Sequence, residues 1–326
     1  MALIDVCNGD ADGLFALVQL RLAEPAQARL VTGLKHDIEL LERVEAGPDD
    51  QVTVCDISMR RNTRALVRLL ERGARVRYFD HHETGTIPSH PGLEAHIDLA
   101  PETCTSLIVD RWLGGRHARW AAAAAWGDNL AASAARLADQ LALATEERST
   151  LRELGEAVNY NAYGERPDDP LLAPAELFAR LLRHTDPLDA WSAEPVLKAM
   201  AQRRREDLAQ AWAIAPVFAE ERARLWILPD AGWSRRVLGP FANQLVDDDP
   251  ERAHAVARAR QDGRYDVSVR APRTRRSGAD RLCRAFGGGG RSAAAAIDQL
   301  AGEDFERFVA AFRQMSWGEN GPAAGQ

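Results

Sequence analysis

The stretch Tyr78-Phe79-Asp80-His81-His82 places an acid and two imidazoles directly after an apolar run. Residues 76 to 79 alternate in character and are rich in β-branched and aromatic side chains, which predicts a strand that ends at Asp80. The backbone must then turn, so the polar side chains stand at the end of the strand. This position is typical of residues that carry chemistry rather than packing.

Two earlier apolar runs end in the same way. Leu3 to Cys7 leads into an acidic turn, and Val52 to Cys55 leads into Asp56. In an open parallel sheet, ligands bind outside the carboxyl ends of the strands. Three strands that each end in acid would therefore gather several carboxylates and two histidines along one edge. The alternation of strands and helices with short loops predicts an α/β fold with a parallel sheet covered on both faces.

The first acidic turn reads Asn8-Gly9-Asp10-Ala11-Asp12-Gly13. Glycines on both sides of the acids allow a turn that directs Asp10 and Asp12 into one site. Taken alone, the turn is equally typical of an Asx-turn or of an N-cap for a helix from Leu14, a position that suits Asp12. With Asp56 and the histidine pair beside it, a metal site is favoured, and carboxylates with imidazole suit Mn²⁺ or Mg²⁺ better than zinc.

These residues resemble the motifs of the DHH phosphoesterase superfamily, in its RecJ-like and oligoribonuclease-like branch. The resembling strings occur in the family's order and span most of the chain: the Asn8 to Gly13 turn, Asp56, Asp80-His81-His82, Gly127-Asp128, and the later run Phe286 to Arg291. The last string is similar to the glycine-rich signature of the first type of DHH-associated domain. Each string alone is weak evidence for the resemblance. Gly-Asp-Asn after a helix is also an ordinary turn, and adjacent histidines also occur as a solvated pair.

The resemblance implies a role for each matching residue. It implies two Mn²⁺ ions, with Mg²⁺ as the alternative, bridged by Asp56. Asp10 would bind the first ion, and Asp12, His81 and Asp128 the second. Asp80 would be a ligand or would support one, and His82 would face the phosphate as a donor. Asn8 departs from the family, where many relatives have histidine or aspartate, and its amide would bind the first ion more weakly.

The glycine run and its arginines form a second group of candidates. Gly287, Gly288, Gly289 and Gly290 are expected to let backbone amides approach a phosphate at the N-terminus of a helix near Ser292, and a flexible hinge is the alternative. Residues 258 to 291 hold ten arginines against three aspartates, although arginine makes up 39 of the 41 basic residues overall. By resemblance, Arg270 lies near the substrate. Arg291 replaces the family's usual histidine and adds permanent charge.

The composition narrows the classes of protein. The chain has 326 residues, 46% of them hydrophobic, and a formal charge of −7, which opposes general affinity for long nucleic acid. Its start has neither a basic flank nor a long apolar run, so we expect no signal peptide and no membrane anchor. Four scattered cysteines favour reduced core thiols. We therefore expect a cytoplasmic protein.

The chain is predicted to contain two domains. We expect a catalytic DHH domain at 1–160, a linker with connecting helices at 161–214, a smaller α/β domain that binds phosphate or nucleotide at 215–316, and a disordered tail at 317–326. Helices are expected at 38–44, at 137–144 and at 293–300. The second domain is expected to close over the first and hold the substrate.

The function predicted from the sequence is metal-dependent hydrolysis of phosphodiester or phosphomonoester bonds in a small nucleotide or short oligonucleotide. We expect no groove for long nucleic acid and leave a homodimer open. Hydrolysis of pyrophosphate or short polyphosphate is the alternative enzyme activity, although the glycine-rich end opposes it. A regulatory nucleotide-binding protein without turnover is the alternative from another class, and it is motivated by Asn8 and Arg291.

Overall fold

The protein divides into two compact units, Met1–Arg203 and Arg204–Gln326. Residues 1–166 and 168–318 are described by the structure, which is a computed structural model. Within these residues, no helix has the length and apolar character needed to span a bilayer.

The first unit is organised around a five-stranded sheet in which every pair of neighbours is parallel. Its order is β2-β1-β3-β4-β5, where the strands are β1 (Leu3–Asn8), β2 (Arg29–Gly33), β3 (Gln51–Cys55), β4 (Arg75–Asp80) and β5 (Leu93–Ile97). The ends of β1, β3 and β4 are therefore adjacent at one edge. This confirms the predicted α/β fold class for the first unit.

Both faces of this sheet are covered, which explains the near-continuous apolar character of its strands. One row of paired residues places Val6, Val54 and Tyr78 in one core cluster. The next row places Cys7, Cys55 and Phe79 in the other cluster, on the opposite face. All four cysteines of the chain are free thiols and buried.

Helices pack on the sheet and extend the unit toward its C-terminal end. They are α1 (Ala11–Ala23), α2 (Met59–Glu71), α3 (Thr105–Trp112), α4 (Ala118–Gly127), α5 (Ala131–Gln140), α6 (Thr145–Asn161), α7 (Pro174–Leu181), α8 (Pro187–Ala193) and α9 (Pro195–Trp212), the last of which begins in the first unit and ends in the second. The helix expected at 38–44 is only a 3₁₀ turn, Leu40–Arg43. The helix expected at 137–144 ends earlier, because Ala142 has a left-handed φ of 50° that breaks the helical backbone.

Gly127 allows three helices to meet at the sheet edge. A Cβ at this position would lie 2.6 Å from the Cβ of Ala11 in α1 and 2.8 Å from the carbonyl oxygen of Gly155 in α6. Both contacts are too short for any side chain, so α4 can approach its neighbours only with glycine here. The close packing fixes the end of α4, and with it the position of Asp128, which follows directly.

The second unit contains a mixed six-stranded sheet with the order β10-β11-β9-β8-β7-β6. Strands β7 and β8 pair in parallel, whereas the other neighbours pair antiparallel. The strands are β6 (Phe218–Ala219), β7 (Ala223–Leu228), β8 (Ala253–Ala259), β9 (Tyr265–Arg270), β10 (Gly289–Arg291) and β11 (Ala294–Leu300), and the helices are α10 (Gly232–Asp248), α11 (Ala279–Arg284) and α12 (Phe305–Gln314). This unit is α/β, as predicted.

The helix predicted at 293–300 is wrong, because this segment is strand β11. Its alanines favour a helix by intrinsic propensity. The segment instead pairs antiparallel with β9, where Ala295 faces Val269, and Ala295 and Ile297 are buried in the core of the unit. Tertiary pairing has overridden the local preference.

Trp317, which we expected at the start of a disordered tail, is 6% exposed and packs edge-on against Phe312 with ring centroids 5.9 Å apart. It belongs to the core of the second unit. The rest of the expected tail, from residue 319, lies outside the described residues.

Candidate metal centre

A cavity of about 160 Å³ opens at the carboxyl ends of β1, β3 and β4. Six of the site residues predicted from the sequence line it: Asn8, Asp10, Asp56, His81, His82 and Asp128. The other lining residues are Lys35, Asp37, Ile38, Ile57 and Ser58. Two further predicted residues, Asp12 and Asp80, do not line the cavity but lie close to His81 and His82, respectively. The fold thus brings all the candidates of the first unit to one place, and their individual roles stay predictions.

Asp56, His81 and His82 form the part of the site best arranged to hold a cation. One donor atom from each lies within 4.8 Å of the others. His81 Nε2 is 3.3 Å from Asp56 Oδ1. Asp56 has a φ of 57°, a left-handed conformation that aspartate tolerates at some cost. This backbone turn directly after β3 keeps the buried carboxylate at the sheet edge.

The ring of His81 is oriented by the main chain. Its Nδ1 lies 2.9 Å from the carbonyl oxygen of Thr103, which can only accept a hydrogen bond, so Nδ1 carries the proton. His81 is 7% exposed. Nε2 is therefore the ring nitrogen that faces Asp56. This is the usual arrangement of a metal-binding histidine.

His82 is oriented by Asp80. Its Nδ1 lies 2.8 Å from Asp80 Oδ1, while the other oxygen of Asp80 is buried with no hydrogen-bond partner among the described residues. Burial lowers the pKa of His82, but the hydrogen bond to Asp80 and the charge of Asp56 outweigh it and raise the pKa above its ordinary value. His82 is therefore suited to donate a proton from Nε2 toward the cavity.

Asp12 has a role that the sequence does not reveal. Its two carboxylate oxygens accept the backbone N–H groups of Thr105 and Ser106, each at 2.7 Å, at the N-terminus of α3. Such charge-assisted bonds to a helix start hold a carboxylate firmly. Asp12 Oδ2 also lies 3.8 Å from His81 Nε2. The acid thus joins α1, α3 and the histidine at the base of the site.

Asp10 is the N-cap of α1, a role that the sequence suggested for Asp12. Its Oδ1 accepts the N–H of Gly13 at 3.1 Å, and its Oδ2 accepts a hydrogen bond from the ammonium of Lys35 at 2.5 Å. Although burial raises the pKa of Asp10, Lys35 outweighs it and lowers the pKa to about 2. Asn8 Oδ1 accepts the N–H of Asp10 at 3.2 Å, so the amide shapes the turn.

The acids of the site repel one another. Burial raises the pKa of Asp56 well above its usual range, and the carboxylates of Asp10 and Asp12 raise it further. A buried acidic cluster of this kind needs compensating positive charge. The donors of the site, carboxylate oxygens and the oriented Nε2 of His81, are those that divalent Mn²⁺ accepts. This donor set therefore fits a divalent cation.

The predicted residues of the second unit lie on one sheet. Arg291, Ala294 and Arg270 form one row across β10, β11 and β9, so the two arginines emerge on the same face with a small residue between them. Arg270 contacts Asn243 Oδ1 at 2.6 Å and Ser268 Oγ at 2.9 Å. Arg291 is exposed. The structure thus places Arg270 in packing contacts and Arg291 at the surface.

The helix expected to begin near Ser292 does not form, because Ser292 lies in the turn between β10 and β11. The glycine run has a different local explanation. A Cβ on Gly288 would lie 2.2 Å from the carbonyl oxygen of Ala296, and one on Gly290 would lie 2.5 Å from the Cα of Ala295. The glycines allow close approach of the two strands. Phosphate binding through backbone amides there stays a prediction without the helix.

Sequence reasoning missed Lys35 and Thr105. The hydroxyl of Thr105 lies 3.3 Å from Asp56 Oδ1, and Lys35 lies against Asp10. Nothing near Thr105 in the sequence marks it. One feature of the sequence could have pointed to Lys35: it is one of only two lysines in a chain whose other basic residues are arginine.

No family model matches the sequence, and no curated protein matches it. Solved structures do match. The chain resembles RecJ from Thermus thermophilus in complex with Mn²⁺, with a TM-score of 0.61 and 19% identity over 95% of this chain. It spans about half of that protein, 51%. A second structure, exonuclease RecJ bound to manganese, also has a TM-score of 0.61 and 19% identity, over 97% of this chain and 91% of that one.

A third match is the pGpG-specific phosphodiesterase PggH from Vibrio cholerae. Its TM-score is 0.54 and its identity is 17%, over 95% of this chain and 97% of that one. At such identities the likeness concerns the fold. The chain has the fold of RecJ and of PggH, so the predicted α/β fold class is confirmed.

Proposed function

We propose that this protein is a divalent-metal-dependent phosphoesterase that hydrolyses phosphodiester or phosphomonoester bonds in small nucleotides or short oligonucleotides. The observation that carries the proposal is the group of Asp56, His81 and His82 in the lining of a cavity. This group of residues lies in a fold that is shared with an exonuclease and with a pGpG-specific phosphodiesterase, both of which act on phosphodiesters.

The contacts of each residue suggest its role in the proposed reaction. Asp56 and His81 would hold a divalent ion, Mn²⁺ or Mg²⁺, with Asp12 and Asp128 close by. When bound, such an ion supplies Lewis acidity and lowers the pKa of water. Thr103 keeps Nε2 of His81 turned to the site, and Thr105 steadies the carboxylate of Asp56. The RecJ structures with Mn²⁺ and with Mg²⁺ support either ion.

His82 would act on the substrate rather than on the metal. Asp80 accepts its Nδ1–H and so directs Nε2–H to the cavity. From there His82 would donate a hydrogen bond to the phosphate and a proton to the leaving oxygen. Its raised pKa favours the protonated ring.

The substrate class rests on charge. The formal charge of −7 opposes binding to long polyanions, and the likeness to a pGpG-specific enzyme supports a small substrate. In the second unit, Arg291 would hold a phosphate that does not react. Pyrophosphate hydrolysis and nucleotide binding without turnover are the alternative results of the same assay.

The test is a panel of substrates with the purified chain. Dinucleotides, cyclic dinucleotides, nucleoside bisphosphates, pyrophosphate and single-stranded DNA are incubated with Mn²⁺, with Mg²⁺ and with a chelator. We expect metal-dependent cleavage of the small nucleotides. Asp56→Ala should keep less than about a tenth of this activity and should bind less manganese, since it removes the carboxylate of the group that would hold the ion.

Asp139→Ala, which removes an exposed acid from α5, is the matched control and should behave as the wild type. Turnover by Asp56→Ala at saturating Mn²⁺ comparable to the control would refute the assignment. A lack of hydrolysis across the whole panel would refute the proposed function.

A further inference from the structure

Lys35 is held in the cavity wall by contacts from several elements. It follows β2 by two residues, and its backbone N–H donates to the carbonyl of Ala162 at 3.0 Å. Its Nζ lies 2.5 Å from Asp10 Oδ2 and 3.0 Å from Asn159 Oδ1 of α6. The ammonium also lies 5.2 Å from the centroid of the Tyr163 ring. These contacts fix a positive charge at one place in the site.

The choice of lysine at this place is unusual for this chain. Of its 41 basic residues only Lys35 and Lys198 are lysine, and Lys198 is exposed on α9. An ammonium is a compact point charge, whereas a guanidinium is broad and planar. A compact cation beside a buried carboxylate resembles a metal ion in its electrostatic effect.

Both residues that the resemblance gives to the first ion are engaged. Asp10 uses Oδ1 on the N–H of Gly13 and Oδ2 on Lys35, and Asn8 uses its amide oxygen on the N–H of Asp10. A divalent ion at Asp10 would have to displace the ammonium or lie beside it, where the two cations repel each other. The group of donor atoms from Asp56, His81 and His82 does not include Asp10, although the Asp10 and Asp56 carboxyls lie close enough to interact.

We propose that the ammonium of Lys35 supplies one of the two positive charges of this site, so that the protein takes one divalent ion per chain, held at Asp56 and His81 beside His82. This inference rests on the proposed metal-dependent function and changes the ion count that the resemblance implies. Lys35 then remains on Asp10 in the loaded protein. Because it lines the same cavity as His82, it also presents a fixed cation to a phosphate.

Counting bound manganese tests this without an activity assay. The wild type, Lys35→Met, Lys198→Met and the double variant Asn8→His/Lys35→Met are dialysed against Mn²⁺, and bound ions per chain are measured. The wild type and Lys198→Met should bind one ion. Lys35→Met should gain a second, and the double variant should bind it about tenfold more tightly, because imidazole is a better ligand than an amide.

Each result decides for or against the inference. Two ions in the wild type would overturn the inference and leave the proposed function standing. One ion in all four proteins would also overturn it. No ion in the wild type would overturn both proposals. One ion in the wild type and a second in the lysine variant, with no hydrolysis of any substrate, would support the inference and remove the proposed function.

A second measurement uses the unaltered chain and so does not depend on the folding of any variant. Acetylation of the two lysines by a water-soluble reagent is followed by mass spectrometry, with Lys198 as the internal reference. If Lys35 stays on Asp10, saturating Mn²⁺ should leave its relative labelling unchanged or lower. A rise of about fivefold or more on adding Mn²⁺ would show that the ion displaces the ammonium, and would overturn the inference.

Discussion

His81 Nδ1 lies 2.9 Å from the carbonyl oxygen of Thr103, a residue of the loop before α3. The contact joins the end of β4 to the start of the helical part of the first unit. It fixes the orientation of the imidazole and places a proton on Nδ1, because a carbonyl can only accept a hydrogen bond. The position of the nitrogen that faces Asp56 is therefore set by packing before any cation binds.

His81→Ala should remove this ligand, so the affinity for Mn²⁺ should fall by at least about 100-fold and turnover should be lost. Isothermal titration with Mn²⁺ measures the affinity directly. His90→Ala is the matched control, because His90 lies in the same region but outside the cavity lining. Equal affinities in the two variants would mean that His81 is not a ligand.

Asp12→Asn should destabilise the first unit. The amide can present only one oxygen, so its NH₂ group would meet one of the two N–H donors of Thr105 and Ser106. An unmatched buried donor costs about 1–3 kcal/mol in the free energy of unfolding. Urea unfolding measures this change, with the exposed Asp139→Asn as control. A stability equal to that of the wild type would show that these two bonds contribute nothing.

Asp110 gives a prediction for the pH dependence of the stability of the protein. It lies in α3, is 7% exposed, and its Oδ1 has no hydrogen-bond partner among the described residues. Burial raises its pKa from 3.8 to about 6, although Arg111 opposes this. The folded state thus favours the protonated acid. The stability that this proton contributes is complete below the unfolded pKa and is lost as the pH rises through the folded pKa.

Asp110→Asn mimics the protonated form at every pH. It should raise the free energy of unfolding at pH 8 by about 1–3 kcal/mol, and by clearly less at pH 5. Urea unfolding at both pH values, with Asp139→Asn as control, gives the comparison. The same gain at both pH values would contradict the role of ionisation.

Much of the first unit could be predicted from sequence, because its strands are short apolar runs with polar residues at their ends. The ends of β1, β3 and β4 follow from that pattern, and so does the meeting of Asp56 with the histidine pair. The partners of these residues could not be predicted. Asp12 meets Thr105 and Ser106, which are more than 90 residues away. Such contacts depend on how α3 packs, and local sequence does not encode that.

The second unit was predicted less well for a related reason. The segment at 293–300 has helical composition but is a strand, because β9 offers it a pairing edge. The glycines before it then serve strand contact rather than a helix N-terminus. Composition also overstated the arginine cluster, because several of its arginines form ion pairs with carboxylates inside and outside the segment.

Arg270 and Arg291 should respond differently to substitution. Arg270 donates to Asn243, to Ser268 and to the carbonyl of Val269, so Arg270→Ala should lower the free energy of unfolding by about 1–3 kcal/mol. Arg291→Ala is an exposed change that should leave stability within about 0.5 kcal/mol and raise KM about 3–10-fold.

Unfolding and steady-state kinetics on both variants separate these effects. Arg276→Ala, which removes another exposed arginine of the same unit, controls for a general loss of charge. If Arg291→Ala and Arg276→Ala change KM equally, Arg291 has no specific role in holding the substrate.

The last prediction concerns the size of the substrate: dinucleotides and very short oligonucleotides should be cleaved well, and long single strands poorly. A nuclease that tracks a long strand needs a basic groove and aromatic platforms for the bases. This chain has a formal charge of −7 and 6% aromatic residues. Of the ten arginines at 258–291, at least four pair with carboxylates: Arg258, Arg260, Arg273 and Arg284. This pairing reduces the positive charge that the region can offer to a long polyanion.

A competition between a dinucleotide and a long single strand, repeated across a series of salt concentrations, measures this preference. Binding through many phosphates releases many counterions, so its affinity falls steeply with salt, whereas binding through one or two phosphates falls little. We expect preference for the dinucleotide at every salt concentration and a shallow salt dependence. Preference for the long strand, with a rate that collapses as salt rises, would show that the arginines form a continuous track and that the small-substrate prediction is wrong.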